Sequence, residues 1–421
     1  CYFCCGSTIE EFKKIIFMKI AIVGAGAAGC FAAANLSLSP EDEVVLFEKQ
    51  HKPMQKVKAS GGGRCNVTHA LFEIPALVKK YPRGASLLKK TLHHFSPKDT
   101  IAWFESRGVP LKAEADGRMF PITDDAQTII DSIWKAMHQN KAHIKYNHTL
   151  EAIACKKGKW HLSFKNEQVY IADKVLLTTG GFPKDEQWQW LRNLGLEVVA
   201  PVPSLFTINL PKHPITKLMG LSVANAQVKL LGTKICEQGP VLITHWGLSG
   251  PAVLRTSAWG ARELGNLNYA CTVQINWLGD INEHECRSIF QDMRSLQGKL
   301  LVQNKIPFDL PKRLWHFLLE QAGIISEVRW ADIKSEPLNK FIQCLCAYKV
   351  AMQGKTTFKE EFVTAGGIAI NEINAATMEL KKLPNLYVAG EIIDVDGITG
   401  GFNFQHAWSS SFIAAKAISS I

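Results

Sequence analysis

Gly24, Gly26 and Gly29 follow the apolar run Ile20-Ala-Ile-Val23 in a GxGxxG spacing, and Glu48 closes a second apolar run, Val44-Val-Leu-Phe47. Residues of these types in this order suit the binding of a dinucleotide. Gly24 permits a tight turn after a strand, Gly26 lets the backbone approach a pyrophosphate, and Gly29 lets a helix pack closely on a sheet. The pattern predicts a helix from Ala27 to Leu36. Its first N–H groups, at Ala27 and Ala28, would meet the phosphates, where free donors and the helix dipole favour negative charge. Glu48 lies 19 residues beyond Gly29, where a carboxylate accepts hydrogen bonds from the adenosine ribose. Lys49 beside it joins the expected cofactor-binding set.

The far end of the chain indicates which dinucleotide. Asn385-Leu-Tyr-Val-Ala-Gly-Glu391 reads as a short buried strand ending in Gly390 and an acid. Gly397, Gly400 and Gly401 come next, and then a helix running from Phe402 and Asn403 to Lys416. A strand that delivers Glu391 to a ribityl chain, and a glycine-led helix start aimed at a ring, belong to an FAD site. A positive helix end near flavin N1 stabilises the anionic reduced ring by roughly 0.3–2 kcal/mol. Asp173-Lys-Val-Leu-Leu-Thr-Thr-Gly-Gly181 supplies a third strut, with Thr179 and Gly180 beneath the dinucleotide.

Two further segments carry reactive side chains. In Ser60-Gly-Gly-Gly-Arg-Cys-Asn66, the backbone of Ser60, Gly61, Gly62 and Asn66 is expected near pyrophosphate and ring. Arg64 either offsets phosphate charge or makes a structural ion pair. Cys65 either approaches the flavin or fills a small apolar space. His245, in Thr244-His-Trp-Gly-Leu-Ser-Gly-Pro251, stands at a strand end before a helix that Ser249 is expected to cap. It is either a proton donor or substrate anchor, or a cap on local backbone. His406 lies inside the last helix, as a packed residue or a flavin neighbour. Glu391, Asp394 and Asp396 look like a paired-carboxylate site, with one acid expected on ribityl hydroxyls and another capping the turn. No metal is required. Gly354-Lys-Thr-Thr357 mimics a phosphate loop, but Lys349 stands where that loop needs glycine, so a turn is expected.

These residues need an α/β frame, a Rossmann-type FAD-binding domain interrupted by an insert. Residues 18–195 and 360–421 are expected to form the FAD-binding domain. Residues 196–359 are expected to form the insert, β-rich over 196–278 and helical over 280–350. Within the first part, 55–66 reads as a glycine-rich basic loop, 85–107 as helix renewed after Ser96, and Asp116–Pro121 as a turn. A helix over 124–140 and a β-meander over 148–171 complete it. In the insert, dense prolines from Pro201 to Pro214 accompany β-like runs at 205–210, 226–231 and 241–244.

Composition narrows the class. The chain of 421 residues is 47% hydrophobic and 20% charged, as in ordinary folded proteins. Its formal net charge is +10 and its pI about 9.0, yet the basic residues are dispersed, with no block of five and no aromatic–basic alternation. No nucleic-acid partner is therefore expected. The eleven cysteines lack framework or zinc spacing, and no CxxxxC dithiol occurs, so a reduced cytoplasmic location is expected. The uncharged stretch 20–36 fits strand plus helix better than a membrane span. Residues 1–17 read as a leader, with Met18 as the biological start.

The quoted segments, together with Val363-Thr-Ala-Gly-Gly367, resemble the YhiN-like flavoproteins, a family also described as BaiN/RdsA-like NAD(P)/FAD-dependent oxidoreductases or aminoacetone-oxidase-like enzymes. The resemblance spans nearly everything from Met18 onward. It implies a tightly held FAD, a glutathione-reductase-like two-part flavin site and an insert covering the flavin. The chain departs from the family at His406, where an aromatic is usual, and at Ser411 and Ala415, near which glycine is usual. The expected activity is hydride transfer between flavin N5 and a small organic molecule. Transiently bound NAD(P)H would be the reductant, since no second GxGxxG exists. An oxidase using O2, and an RNA-modifying or structural flavoprotein, are the alternatives.

Overall fold

Four short, mainly apolar runs form the buried strands of one parallel sheet, because strands covered on both faces need apolar side chains, and His143–Lys145 adds a partly exposed edge strand. The computed structural model describes residues 17–324, 327–355 and 363–420. Residues 1–16 of the expected leader, the expected boundary at 359/360 and Thr356-Thr357 lie outside the described residues. Across the sheet the strands run Leu386–Val388, Lys174–Leu177, Lys19–Val23, Glu43–Phe47, His143–Lys145. The order reverses between Lys19–Val23 and Lys174–Leu177, a switch point at which α/β sheets open a crevice beyond their strand ends.

Helix Ala27–Asn35 follows the first strand and is buried from Ala28 through Ala34. Its run of alanines lets it sit between the sheet and the last helix, Phe402–Ser419, with almost no solvent-facing side. Phe31 anchors that layer, with ring centroids 4.7 Å from Trp103 and 4.9 Å from Trp408.

The inserted region has its own antiparallel sheet of six strands. Their order is Ile208–Asn209, Gly247–Ser249, Cys236–Ile243, Ser222–Leu230, Ala270–Asn276, Tyr348–Gln353. Helices Glu283–Gln297, Lys312–Gln321 and Ser335–Cys346 share a second core with it, built on Phe290, Trp315, Trp330 and Phe341. The fold is thus a Rossmann-type FAD-binding domain carrying a sheet-rich insert. Ingoing strand Val198–Ser204 pairs antiparallel with returning strand Val363–Ile368. Helix Pro251–Trp259 bridges the two cores, with Ala252 and Val253 in the second and Ala258 in the first.

Four local expectations need correction. Gln55–Gly63 is helical at its start because Val57 is buried, and it breaks only where Ser60, Gly61 and Gly62 leave helical angles. Asp116–Pro121 is more than a turn: Arg118–Pro121 is the central strand between Thr68–His69 and Leu111–Ala113, burying Met119 and Phe120. The strand near the prolines is Val198–Ser204, whose register slips between Val199 and Val202 so that Pro201 falls in the irregularity. Of the run 205–210, only Ile208–Asn209 pairs as strand, since Leu205 has a left-handed φ of +58°.

Candidate functional site

The glycine turn is built from contacts that leave no space at two positions and open space at one. A Cβ on Gly24, whose φ is +107°, would lie 2.4 Å from the Thr178 carbonyl oxygen, and one on Gly29 would lie 1.9 Å from the Gly24 carbonyl oxygen. At Gly26 nothing lies within 4 Å of that position. Gly26 is also the N-cap of helix Ala27–Asn35, with no side chain bonded to its free donors. The buried Glu48 carboxylate accepts from the N–H groups of Ala25 (2.8 Å) and Gln50 (3.0 Å), which fixes it beside the turn. An open backbone cradle, an uncapped helix start and a buried carboxylate fit the pyrophosphate and adenosine ribose of FAD. Lys49 is exposed next to them.

The chain's last segment reaches the same place. A Cβ on Gly390 would lie 2.9 Å from the Ala28 Cβ, so the end of strand Leu386–Val388 presses on the glycine-turn helix. The Gly390 N–H donates to Ser410 Oγ (3.0 Å). Glu391 accepts from the Thr364 N–H (2.9 Å) and pairs with Lys56 Nζ (2.7 Å). A Cβ on Gly180 would be 3.7 Å from Glu391 Oε2, and Thr179 Oγ1 donates to the Gly180 carbonyl (3.3 Å).

Gly401 caps helix Phe402–Ser419 with φ +90°, and a Cβ there would lie 2.5 Å from the Thr68 carbonyl oxygen. Gly400 precedes it at φ +135°. With its amide turned to satisfy both neighbours, Asn66 accepts from the Gly401 N–H (3.0 Å) and donates to the Thr68 carbonyl (3.0 Å). The Phe402 ring is buried, stacked 4.7 Å from His69 and edge-on to Tyr81. Asn403 holds both backbone groups of Gly397 (2.8 and 2.9 Å). These side chains shape the turn, and the helix start carries no side-chain cap on its free backbone donors.

The Ser60–Asn66 segment divides into backbone and side-chain roles. Ser60 Oγ donates to the Val57 carbonyl, Gly61 faces the Phe120 ring, and Gly62 stands in open space. Arg64 bonds Glu114 (2.6 Å), lies 3.6 Å from Asp124 and stacks 4.0 Å over Phe120. Its geometry is that of a structural ion pair. Cys65 is fully buried, and burial pushes its thiol up to about 12, so it stands as a neutral, packed SH.

His245 is exposed on the insert, its ring edge-on to Trp246. Thr244 closes the turn around it, its Oγ1 accepting from the Gly247 N–H (3.2 Å). Among the described residues, no hydrogen bond ties His245 to the glycine cluster. The expected cap at Ser249 is corrected: Ser249 pairs with Leu242 in a strand, and Gly250, at φ +96°, caps the helix before Pro251. His406 is buried against the Gly390 carbonyl (3.2 Å), its other ring nitrogen has no partner, and burial lowers its pKa to about 4. The three late acids do not face one another as a pair: Asp394 meets Arg262 (3.1 Å), Asp396 meets Arg83, and Glu391 meets Lys56.

Sequence reasoning overlooked Thr178, Lys56, His69 and Arg83. Only Thr178 had a signal, as the first threonine of the Thr-Thr-Gly-Gly strand end.

Comparison with known proteins agrees with this geometry. Residues 18–417 match the family model described as HI0933-like protein Rossmann domain. The chain is 30% identical over 418 residues to the ribosomal RNA dihydrouridine synthase of Escherichia coli, covering 97% of this chain and 98% of that protein. It is 26% identical over 408 residues to the 3-dehydro-bile acid delta(4,6)-reductase of Clostridium scindens, covering 95% and 98%. Among solved structures it aligns with a 3-ketosteroid-delta4-(5alpha)-dehydrogenase from Rhodococcus jostii at a TM-score of 0.49 and 11% identity, over 96% of this chain and 99% of the other. Among the described residues no helix is long and apolar enough to cross a membrane. With its glycine turn, its late strand and a match over nearly all of its length, the chain belongs to the HI0933-like Rossmann-domain family.

Proposed function

We propose that the chain is an FAD-dependent oxidoreductase that hydrogenates a carbon–carbon double bond conjugated to a carbonyl. The observation that carries this reading is the convergence of Gly26, Glu48, Gly390, Glu391 and the uncapped start of helix Phe402–Ser419. FAD, when bound, supplies hydride transfer at N5. The chain's own residues do the rest. Glu48 orients the adenosine ribose, the Gly24–Gly29 backbone takes the pyrophosphate, and Glu391, steadied by Lys56 and Thr364, takes the ribityl hydroxyls. The start of the last helix offers positive potential to the ring. His245, which makes no side-chain hydrogen bond among the described residues, is assigned proton delivery to the substrate, and Cys65 a packing role.

Support for the bond type comes from two relatives named for hydrogenation, a dihydrouridine synthase and a delta(4,6)-reductase. A free conjugated ketone is the first reading for the substrate. A uracil base in RNA is the second, favoured by the 30% identity to the Escherichia coli protein along 97% of this chain. NAD(P)H is proposed as a transient donor. The eight described cysteines are all free thiols, which supports a reducing, cytoplasmic setting.

Anaerobic reduction of the bound flavin with NADH or NADPH tests the reading. The reduced protein is then offered a cyclic dienone, a uridine-containing ribosomal RNA fragment, or O2. Reoxidation by the dienone or RNA with a saturated product is expected. A protein that binds no FAD, or that is reoxidised by O2 alone, overturns the proposal.

A further inference from the structure

Asp396 sits in the turn between Glu391 and the last helix, with a carboxylate wholly removed from solvent. Arg83 reaches both its oxygens, with Nε on one and Nη2 on the other, and the Ser204 hydroxyl donates to it across 2.8 Å. Arg83 Nη2 also donates to the Ala258 carbonyl (2.8 Å). The backbones of Arg83 and Asp396 form an isolated antiparallel bridge. Beside them, a Cβ on Gly84 would lie 2.4 Å from Val395 Cγ2, so no side chain separates the two segments. A second pair, exposed Arg262 with the half-buried Asp394, lies two residues before Asp396 in the chain.

The partners come from different parts of the molecule. Arg83 and Asp396 belong to the nucleotide-binding part. Ser204 ends the strand that leads into the insert, and Ala258 lies near the end of helix Pro251–Trp259. That helix begins just after the turn bearing His245 and sinks residues into both cores. A buried ion pair is weak evidence for stability, because desolvation offsets much of its attraction. A guanidinium fork on a carboxylate is strong evidence for fixed orientation, because two parallel bonds define a plane.

We infer that Arg83 and Asp396 form the joint that registers the insert, and with it the His245 turn, against the cofactor-side turn Gly397–Gly401. Arg83 is accordingly a positioning residue. The inference rests on the proposed FAD site, since registration matters only if that turn faces the flavin.

The test compares the wild-type protein with R83K, D396N and S204A. It measures FAD per chain, the midpoint potential of the bound flavin, and backbone hydrogen exchange with and without FAD. R83K keeps the charge and loses the fork, and S204A removes one bond while leaving the ion pair intact. Near-normal FAD content is expected in all three. Exchange at 198–204 and 397–403 should quicken about tenfold or more, as for the loss of one hydrogen bond to a charged group. Exchange at 19–23 should not change. The flavin potential should fall, because the helix start is held less firmly against the reduced ring, with S204A moving the same way to a smaller extent. Should R83K or D396N fail to fold, S204A carries the test alone. Unchanged exchange and potential, or exchange that rises equally at 19–23, overturns the joint. A wild-type protein without FAD defeats the functional reading instead, while exchange in the FAD-free protein still decides whether the joint exists.

Discussion

The Thr178 hydroxyl lies 2.8 Å from the Gly24 carbonyl oxygen and 3.0 Å from that of Val23, so one proton is shared between the last residue of a strand and the first glycine after it. Thr178 N–H also donates to Val23 (2.8 Å). The glycine turn proposed to receive a pyrophosphate is therefore fixed from the neighbouring strand. Replacing Thr178 by Val keeps the shape and the backbone bond to Val23 but leaves the Gly24 carbonyl without its hydroxyl partner. The FAD-free protein should lose about 1–2 kcal/mol of stability, and FAD should bind more weakly. Thr178→Ser should restore both. Thermal melts and an FAD titration of the three proteins decide it.

Gly26 and Gly29 should fail in different ways. Gly26 has φ −84° and ψ −162°, open to any residue, and its Cβ position is empty. Gly26→Val should therefore still fold, losing about 1 kcal/mol because valine is a poor N-cap, and retain no FAD. Gly29→Ala meets the Gly24 carbonyl at 1.9 Å and should yield little folded protein. A yellow Gly26→Val protein at full occupancy would show the cradle to be misplaced.

Glu48→Gln retains the shape beside Ala25 and loses the charge. A charged hydrogen bond contributes roughly 1.5–3 kcal/mol, so FAD affinity should drop about tenfold or more. The flavin potential should stay put, because Glu48 is proposed to serve the adenosine end. Equilibrium binding paired with a redox titration separates the two effects.

His406 gives the folded protein a built-in acid sensitivity. Its folded pKa, near 4, lies below the ordinary histidine value of about 6.5. Between these two, the unfolded chain takes a proton that the folded chain refuses, so stability falls as pH drops from about 6.5 to about 4. The loss accrues at about 1.4 kcal/mol per pH unit, to about 3 kcal/mol in total. In His406→Phe the difference in melting temperature between pH 7 and pH 5 should narrow. An unchanged difference would mean that other groups set the acid response.

His245→Ala should leave folding and FAD content intact, because Thr244 and Gly250 hold that turn. Reduction of the organic substrate should slow by roughly 10²–10⁴-fold, the contribution of a general acid, while flavin reduction by NAD(P)H persists. Loss of FAD in this variant would move His245 from chemistry to structure.

The frame of the molecule was legible because its signals are local. The run from Ile20 to Gly29 and the stretch from Leu386 to Phe402 each announce a strand, a turn and a helix within a few residues. Arg83 has no such signal, since its partners lie 175 and 313 positions away. Arg64 shows a different limit: a basic residue in a glycine-rich loop left phosphate and ion pair as alternatives, and the hairpin that brings Glu114 and Phe120 to it could not be read locally. Ser249 had the composition of a helix cap, but pairing with Leu242 made it strand and passed the cap to Gly250.

The nucleotide sheet takes its edge strand, Leu386–Val388, from late in the chain, and the helix behind the glycine turn is covered by Phe402–Ser419. On the ribosome, the first two strands of that sheet emerge with the proposed phosphate cradle long before either arrives. The whole insert can be made and its separate core packed while that cradle still lacks one wall. On the proposed reading, cofactor capture therefore waits until Leu386–Val388 and Phe402–Ser419 have been made. A chain stalled before Gly390 would leave a colourless, half-covered sheet for chaperones and proteases to find.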